Sequence, residues 1–153
     1  MDVSADLQEL ANTDVAVVSA GAKAILDLKL TLEYLETFGI PVIGFKTDEF
    51  PAFYSRTSGL GVDYRIDKVE ELAHTLFTKW NLGMKGGVLI ANPILKKDQM
   101  KFGSINQAIE EAILIAEKKG IKGKKITPFL LEKIGKLTEG KSLDANIQLV
   151  YNN

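Results

Sequence analysis

The sequence predicts an α/β protein, because short apolar runs alternate with amphipathic stretches along the chain. Three apolar runs are typical of strands in the interior of a sheet: residues 15–18, 41–45 and 86–91. The stretches between them repeat apolar residues at the three- and four-residue spacing of a helix packed on one face. We therefore expect a mostly parallel or mixed sheet with helices packed on it.

The first strand, residues 15–18, leads through a turn at 19–23 into a helical segment over 28–38. Gly39 follows that segment directly and is a typical helix stop signal. The second strand is then predicted at 41–45. This order of strand, helix and strand is the repeating unit of a layered α/β fold.

The middle of the chain continues the same pattern. Alternating apolar and polar residues predict an edge strand at 62–66. Apolar residues at helical spacing then predict an amphipathic helix over 69–80. After the buried strand at 86–91, a second stripe predicts a helix around 105–115.

Capping residues predict where the last helices begin. Thr127 and Pro128 are suited to the N-cap and first turn of a helix through residue 137. Ser142 is suited to capping a final helix. At the other end of the chain, Ser4 or Asp6 could begin a helix over residues 7–11.

Composition limits the classes of function. The 153 residues suit one domain spanning 1–153, and 46% of them are hydrophobic, enough for a core. The formal net charge is −1, which gives no electrostatic reason to expect nucleic acid or an anionic membrane as partner. Cysteine is absent, which excludes disulfides and thiolate catalysis. No apolar run approaches the roughly 18 residues of a membrane span, so we expect a cytoplasmic protein.

Lys23 is the first candidate for chemistry, because it lies just beyond a predicted buried strand, where open α/β sheets bind their ligands. It also lies near a predicted helix start, whose positive end would lower the pKa of the amine. A neutral amine is what Schiff-base chemistry requires. The alternative is an ordinary lysine on the first turn of a surface helix, and position alone favours that alternative.

Asp2, Ser4 and Asp6 form a second candidate group. Two carboxylates with a hydroxyl between them can bind a hard cation or anchor a sugar phosphate. The alternative is a helix cap, which the spacing alone favours.

Four further polar residues are weaker candidates for a site. His74 is the only histidine and lies within a predicted helix, half exposed beside its apolar stripe, so a histidine-based triad is not expected. Asp48 and Glu49 follow a strand and are better placed for a site than most acids in the chain, although a solvated loop is the commoner explanation. Asn146 lies on a polar helix face, where most asparagines contact only water.

Seven collinear segments resemble the pseudouridine-5′-phosphate glycosidase family, also called the indigoidine-synthase-A-like family. They include the motifs DVSADL, VVSAGAKAILD, TDEFPAFY and GGVLIANP. In order, the segments are residues 2–7, 17–27, 31–37, 47–54, 86–93, 126–131 and 142–147. The resemblance covers essentially the whole chain. Ser19 departs from it, because many relatives have cysteine there, and Leu95 stands where a second proline is common.

The resemblance implies a three-layer α/β/α sandwich, usually assembled as a homotrimer. It implies reversible cleavage of pseudouridine 5′-phosphate into uracil and ribose 5-phosphate, with Lys23 as the covalent nucleophile. It also implies that Asp2 binds a divalent metal, typically manganese (Mn2+). Ser4, Ala5 and Asp6 match the substrate-binding stretch, and Asn146 matches an asparagine near the substrate.

The family enzymes are longer, and this chain corresponds to their carboxyl-terminal half. The other half normally supplies a general-acid glutamate and further groups for the sugar phosphate, so we expect little or no activity from this chain alone. Two alternatives remain open. The chain could be a non-catalytic half that binds sugar phosphates or serves assembly, or a pigment-biosynthesis relative acting on another nucleotide-derived substrate.

Overall fold

The computed structural model describes residues 5–22, 27–121 and 125–153. Within these ranges the strands are β1 (Ala16–Ser19), β2 (Val42–Phe45), β3 (Tyr64–Ile66) and β4 (Val88–Ala91). The helices are α1 (Ala5–Asn12), α2 (Leu28–Thr37), α3 (Val69–Asn81), α4 (Phe102–Lys118), α5 (Ile126–Leu137) and α6 (Lys141–Asn152). Every strand expected from the sequence is present, and each helix expected from the sequence is found.

The strands form one sheet in the order β1-β4-β2-β3, and every neighbouring pair is parallel. The expectation of a mostly parallel sheet is therefore confirmed, and β3 lies at an edge as predicted. Ser19 is paired with Ala91, and Ala91 is paired with Gly44. The carboxyl ends of the strands consequently meet along one side of the sheet, which we call the carboxyl edge.

Helices cover both faces of the sheet, giving three layers. On one face, Leu89 packs with Leu10 of α1 and Leu35 of α2. On the other face, Ile90 lies in a cluster that Leu72 and Leu76 of α3 join. None of the helices in the described ranges is long and apolar enough to cross a membrane.

A third cluster lies beyond the carboxyl edge and joins α4, α5 and α6. Ile109, Ile134 and Leu149, one from each helix, are buried there. The same cluster includes Ala20 and Tyr54, which follow β1 and β2 respectively. The three helices are thereby packed against the loops that leave the sheet.

Two predicted caps are wrong. Helix α5 begins at Ile126 with Lys125 in the N-cap position, so Thr127 lies inside the helix. Helix α6 begins at Lys141 after Gly140, whose φ of 85° makes the turn from α5. Ser142 is therefore a buried helical residue, and its amide donates to Thr138 Oγ1 at 3.2 Å. Gly140, in the short link between the two helices, rather than a serine or threonine cap, precedes the first residue of α6.

Only part of the apolar stripe predicted for α3 packs against the sheet. Leu72 and Leu76 reach the sheet, while Val69 and Phe77 are 62% and 66% exposed. None of the residues of this helix is fully buried. His74 is exposed rather than half exposed. The periodicity thus identified the helix correctly but overstated the width of its buried face.

Candidate functional site

Three loops meet at the carboxyl edge, where a parallel α/β sheet usually binds its ligand. The loop after β1 begins with Ala20, and the loop after β2 includes Phe53. The Phe53 amide donates to the carbonyl of Ala20 at 3.0 Å. After β4, the Asn92 amide donates to the carbonyl of Ser19 at 2.8 Å. These bonds hold the three loops together and leave little freedom to the turn that precedes Lys23.

Gly21 is required in that turn by both conformation and space. Its φ is 91°, a region that residues with a side chain rarely adopt. A Cβ at this position would lie 1.8 Å from the carbonyl oxygen of Pro51. The turn after β1 and the loop after β2 can therefore approach each other only because residue 21 has no side chain.

The loop after β2 is braced by its own polar side chains. The Glu49 carboxylate accepts from the amides of Ser58 and Gly59 at 3.1 and 3.0 Å. The Thr47 hydroxyl donates to the carbonyl of Glu49 at 2.9 Å. Asp48 forms an ion pair with Arg65 of β3. Asp48 and Glu49, the two acids that the sequence suggested as site candidates, therefore both stabilise the loop.

A cavity of about 270 Å³ opens between α1, the turn after β1 and the loop after β2. Its polar lining consists of Asp6, Ser19 and Thr31. Gly21 and Ala22 also line it, so the two residues before Lys23 border this space. The remaining lining residues are apolar: Leu7, Leu10, Val17, Phe50, Phe53 and Leu89. An apolar pocket with a few convergent polar groups is the usual form of a small-molecule site.

Helix α1 brings the predicted substrate-binding stretch to this cavity. Ala5 is the first residue of the helix, and Asp6 lies in its first turn. Both are exposed, and Asp6 lines the cavity. The first turn of a helix carries unsatisfied amides and a partial positive charge, which favours an anionic group nearby. The sequence suggested Asp6 and the region of Lys23 as separate site candidates. Asp6 and the turn before Lys23 line the same cavity.

Asn146 lies on α6, half buried, and is not among the residues that line this cavity. Its neighbour Ala145 packs in the same cluster as Ala20 of the turn after β1. The far end of α6 is tied to β4, since Asn92 Nδ2 donates to the carbonyl of Asn152 at 2.9 Å. Asn146 is therefore adjacent in sequence to a residue of the core cluster that also includes the turn after β1.

Lys23, Asp2 and Ser4 lie outside the described residues, so their predicted roles stay predictions. Lys23 directly follows Ala22, which lines the cavity. Helix α2 begins beyond it at Leu28, where Asp27 acts as N-cap and accepts from the Leu30 amide at 3.1 Å. The sequence-based expectation that Lys23 lies near a helix start concerns residues outside the described ranges and stays a prediction.

The implied manganese ion was compared with the acids that the structure describes. Among the described residues, no group of three or more histidine or acidic side chains lies together as a metal site would require. The cavity contains the carboxylate of Asp6 and two hydroxyls, which are hard oxygen donors but do not make up a set of ligands by themselves.

Several cavity residues were not singled out from the sequence as site residues. Phe50 and Phe53 come from the segment after β2, and Phe50 is completely buried. The available signal was the position of that segment, directly after a buried strand and within a motif of the resemblance. Thr31 begins the resemblance segment 31–37, but a threonine inside an amphipathic helix gave no reason to single it out as a site residue.

Tyr54 links the loop after β2 to α6, and its ionisation should affect stability. Burial raises the pKa of the Tyr54 phenol above its ordinary value of 10.0, and a hydrogen bond with Ser142 partly offsets this shift. The neutral phenol is thus favoured in the folded state. Its contribution to the free energy of unfolding is present below about pH 10 and is lost as pH rises through the higher folded pKa.

We therefore expect Tyr54→Phe to weaken the fall in stability that begins as pH rises above about 10. At pH 8 the same change should cost about 0.5–1.5 kcal/mol, because it removes one hydrogen bond. Urea unfolding across this pH range measures both effects. Tyr64→Phe, at a residue 63% exposed, is the control and should follow the wild type. Equal alkaline losses in all three proteins would contradict the assignment.

Comparison with known proteins identifies the family. The family model for indigoidine synthase A like protein matches residues 1–153. Curated relatives called pseudouridine-5'-phosphate glycosidase, from Caldanaerobacter subterraneus subsp. tengcongensis and Clostridium botulinum, are 68% and 64% identical over 152 residues. Those matches cover 99% of this chain but 50% of each relative. The chain thus spans half the length of the curated relatives it matches.

Solved structures agree in fold. The prealnumycin C-glycosynthase AlnA, in complex with ribulose 5-phosphate, is 34% identical with a TM-score of 0.88. An indigoidine synthase A-like protein from Thermotoga maritima is 37% identical with the same TM-score. Each match covers 99% of this chain and 50% of the other. The chain belongs to the indigoidine synthase A-like family, whose curated members include enzymes called pseudouridine-5'-phosphate glycosidase.

Proposed function

We propose that this chain is the nucleophile-bearing half of a pseudouridine-5′-phosphate glycosidase. The observation that carries the proposal is the cavity at the carboxyl edge, which Asp6 shares with the two residues before Lys23. The names of the curated relatives support the reaction, and the ribulose 5-phosphate complex of AlnA supports a sugar phosphate as the ligand class. A phosphorylated pentose would be bound by polar groups on an otherwise apolar wall.

In the direction of synthesis, the ε-amine of Lys23 attacks the aldehyde carbon of open-chain ribose 5-phosphate. Water leaves, and an imine links the amine to C1 of the sugar. C5 of uracil then attacks C1, forming the carbon–carbon bond and losing its proton. Ring closure through the sugar hydroxyl on C4 displaces the amine. Cleavage is the reverse sequence, in which the pair of electrons of the broken bond returns to uracil and C5 takes up a proton.

The remaining residues orient the sugar and its phosphate in this proposal. Ala5 and Asp6 lie in the first turn of α1, where helix amides favour an anion and the Asp6 carboxylate would accept from sugar hydroxyls. Ser4, which precedes them in the sequence, would contribute its hydroxyl to the same stretch. Asn146 would contribute an amide from α6. Asp2 would bind the divalent metal, with manganese as the expected ion. Apolar residues such as Phe50 and Phe53 limit water, which would otherwise compete with uracil for the imine.

The proposed enzyme needs more than this chain. The half of the relatives that this chain does not span would supply the general acid that protonates uracil. We therefore expect little turnover from this chain alone and normal turnover when both halves are present. Assembly as a homotrimer and a cytoplasmic location are part of the same proposal.

Trapping the adduct tests the function. The chain is incubated with ribose 5-phosphate and sodium borohydride, digested, and analysed by peptide mass mapping. A parallel sample contains the complementary half of the Caldanaerobacter relative. We expect a reduced sugar adduct on Lys23 in at least the combined sample. Adducts spread over exposed lysines, or no adduct in either sample, would contradict the proposal, and saturable binding without an adduct would indicate the non-catalytic alternative.

A second candidate deserves the same assay. The similarity to AlnA, whose structure contains ribulose 5-phosphate, favours a C-glycoside-forming relative that accepts another base or ring in place of uracil. The lysine chemistry would be the same, and only the acceptor would differ. Product formation from ribose 5-phosphate with uracil, compared with aromatic acceptors, distinguishes the two reactions.

A further inference from the structure

Phe53 has a backbone conformation that aromatic residues rarely adopt. Its φ is 59°, in the left-handed region where a bulky side chain is strained. Phe53 and Tyr54 are the central residues of a tight turn, in which the Ala52 amide donates to the carbonyl of Ser55 at 2.9 Å. Turns with a positive φ at the first central position usually have glycine, asparagine or aspartate there. The backbone of this turn therefore gives no reason for a phenylalanine.

The ring of Phe53 lies between the helical core and the cavity at the carboxyl edge. It makes a T-shaped contact with the ring of Tyr54, with centroids 4.8 Å apart and an interplanar angle of 86°. Tyr54 is buried in the cluster of α4, α5 and α6, and the half-buried Phe53 packs against that cluster. Phe53 also lines the cavity. Strained residues tend to occur where proteins bind ligands, so the place of this ring indicates a contact with the ligand.

Phe53 is the aromatic surface that the described lining residues offer to a ligand. The other aromatic residue among them, Phe50, is completely buried, so its ring has no free surface. The polar lining residues Asp6, Ser19 and Thr31 suit the hydroxyl groups of a sugar. The cavity therefore combines polar groups with an accessible aromatic ring, as a ligand made of a sugar and a planar base requires.

We propose that Phe53 is a specificity-determining residue whose ring stacks on the planar ring of the base. The inference rests on the proposed function and adds the class of acceptor that the site selects, a planar unsaturated ring. Stacking of one base on an aromatic side chain strengthens binding by roughly 5- to 150-fold. The polar groups of the cavity bind the sugar phosphate whether or not the base is present. Removing the ring should therefore weaken binding of the base and leave binding of the sugar phosphate unchanged.

Uracil and dihydrouracil separate stacking from hydrogen bonding. Both compounds have the same hydrogen-bonding groups, but dihydrouracil is saturated at two ring carbons and is not planar. Equilibrium binding of each is measured to a chimera in which this chain replaces the matching half of the Caldanaerobacter relative. Uracil should bind at least about tenfold more tightly than dihydrouracil, and Phe53→Leu should remove most of this preference. Phe53→Tyr, which retains a ring, should keep the preference.

Kinetic constants of the same chimera give a second measurement. Leucine also has a Cβ, so Phe53→Leu keeps the backbone strain and removes only the aromatic ring. In the direction of synthesis it should raise the KM for uracil at least about tenfold. The KM for ribose 5-phosphate and the borohydride-trapped adduct on Lys23 should stay close to those of the wild type. Phe77→Leu, at a residue 66% exposed on α3, is the matched control and should change none of these values.

The possible outcomes distinguish this inference from the proposed function. An equal preference for uracil in the wild type and in Phe53→Leu, or no measurable uracil binding by the wild type, would overturn the role of Phe53. A parallel rise in the KM values for uracil and ribose 5-phosphate would also overturn it, because Phe53 would then only support the loop. If the wild-type chimera forms no adduct, the proposed function fails instead, and the binding comparison with dihydrouracil still decides whether Phe53 stacks on the base.

Discussion

Replacing Lys23 with alanine is expected to remove the borohydride-trapped adduct completely. In the two-half enzyme, the same change should lower turnover of pseudouridine 5′-phosphate by more than about a thousandfold, because loss of a covalent nucleophile removes the reaction path itself. Binding of ribose 5-phosphate should change far less, since the polar groups around the cavity remain. Mass mapping, steady-state rates and equilibrium binding measure these three effects separately.

Lys29→Ala is the matched control for that experiment. Lys29 is exposed on α2, in the helix that follows the Lys23 segment, and carries the same ammonium group. It should retain the adduct and the rate of the wild type. If Lys23→Ala retains a trapped adduct, or if both variants lose activity equally, the amine of Lys23 is not the nucleophile and the proposed mechanism fails.

The central strands were predictable because their sequences are almost wholly apolar. Residues 41–45 and 86–91 became β2 and β4, which are buried on both faces, as an uninterrupted apolar run requires in a parallel sheet. The run at 15–18 looks the same in sequence, yet β1 lies at an edge with its valines partly exposed. An uninterrupted apolar run thus predicts a strand but does not distinguish a central strand from one at the edge of the sheet formed by the described residues.

The two N-caps that the sequence predicted at the wrong residues have another physical cause. Thr127 and Ser142 have the side chains that favour N-caps, but neither occupies that position, and at Ser142 a tertiary contact outweighs the preference of about 1 kcal/mol. Ser142 is buried against Tyr54 from the loop after β2, a contact between residues far apart in sequence. Contacts between residues far apart in sequence also limit how many of the cavity residues can be predicted. Position after a strand pointed to Lys23 and to the segment that contains Phe50, whereas Thr31 reaches the cavity through the packing of α2.

Gly21→Ala should both destabilise the protein and abolish the Lys23 adduct. The alanine Cβ would collide with the carbonyl oxygen of Pro51. This atom belongs to the backbone of a loop braced by Glu49, so it cannot move aside as a flexible side chain would. We expect the free energy of unfolding to fall by about 1–3 kcal/mol from this overpacking, in addition to the strain of a positive φ.

Gly39→Ala separates the cost of a positive φ from the cost of the steric collision. Gly39 also has a positive φ, 64°, but no atom lies within 4 Å of the position its Cβ would occupy. This variant should lose only about 1 kcal/mol, the cost of backbone strain, and should keep the adduct. Urea unfolding and trapping, applied to both variants, compare strain alone with strain plus collision. If Gly21→Ala matches Gly39→Ala in both assays, the close approach of the two loops does not position Lys23. The packing of these loops around the cavity would then have no effect on formation of the Lys23 adduct.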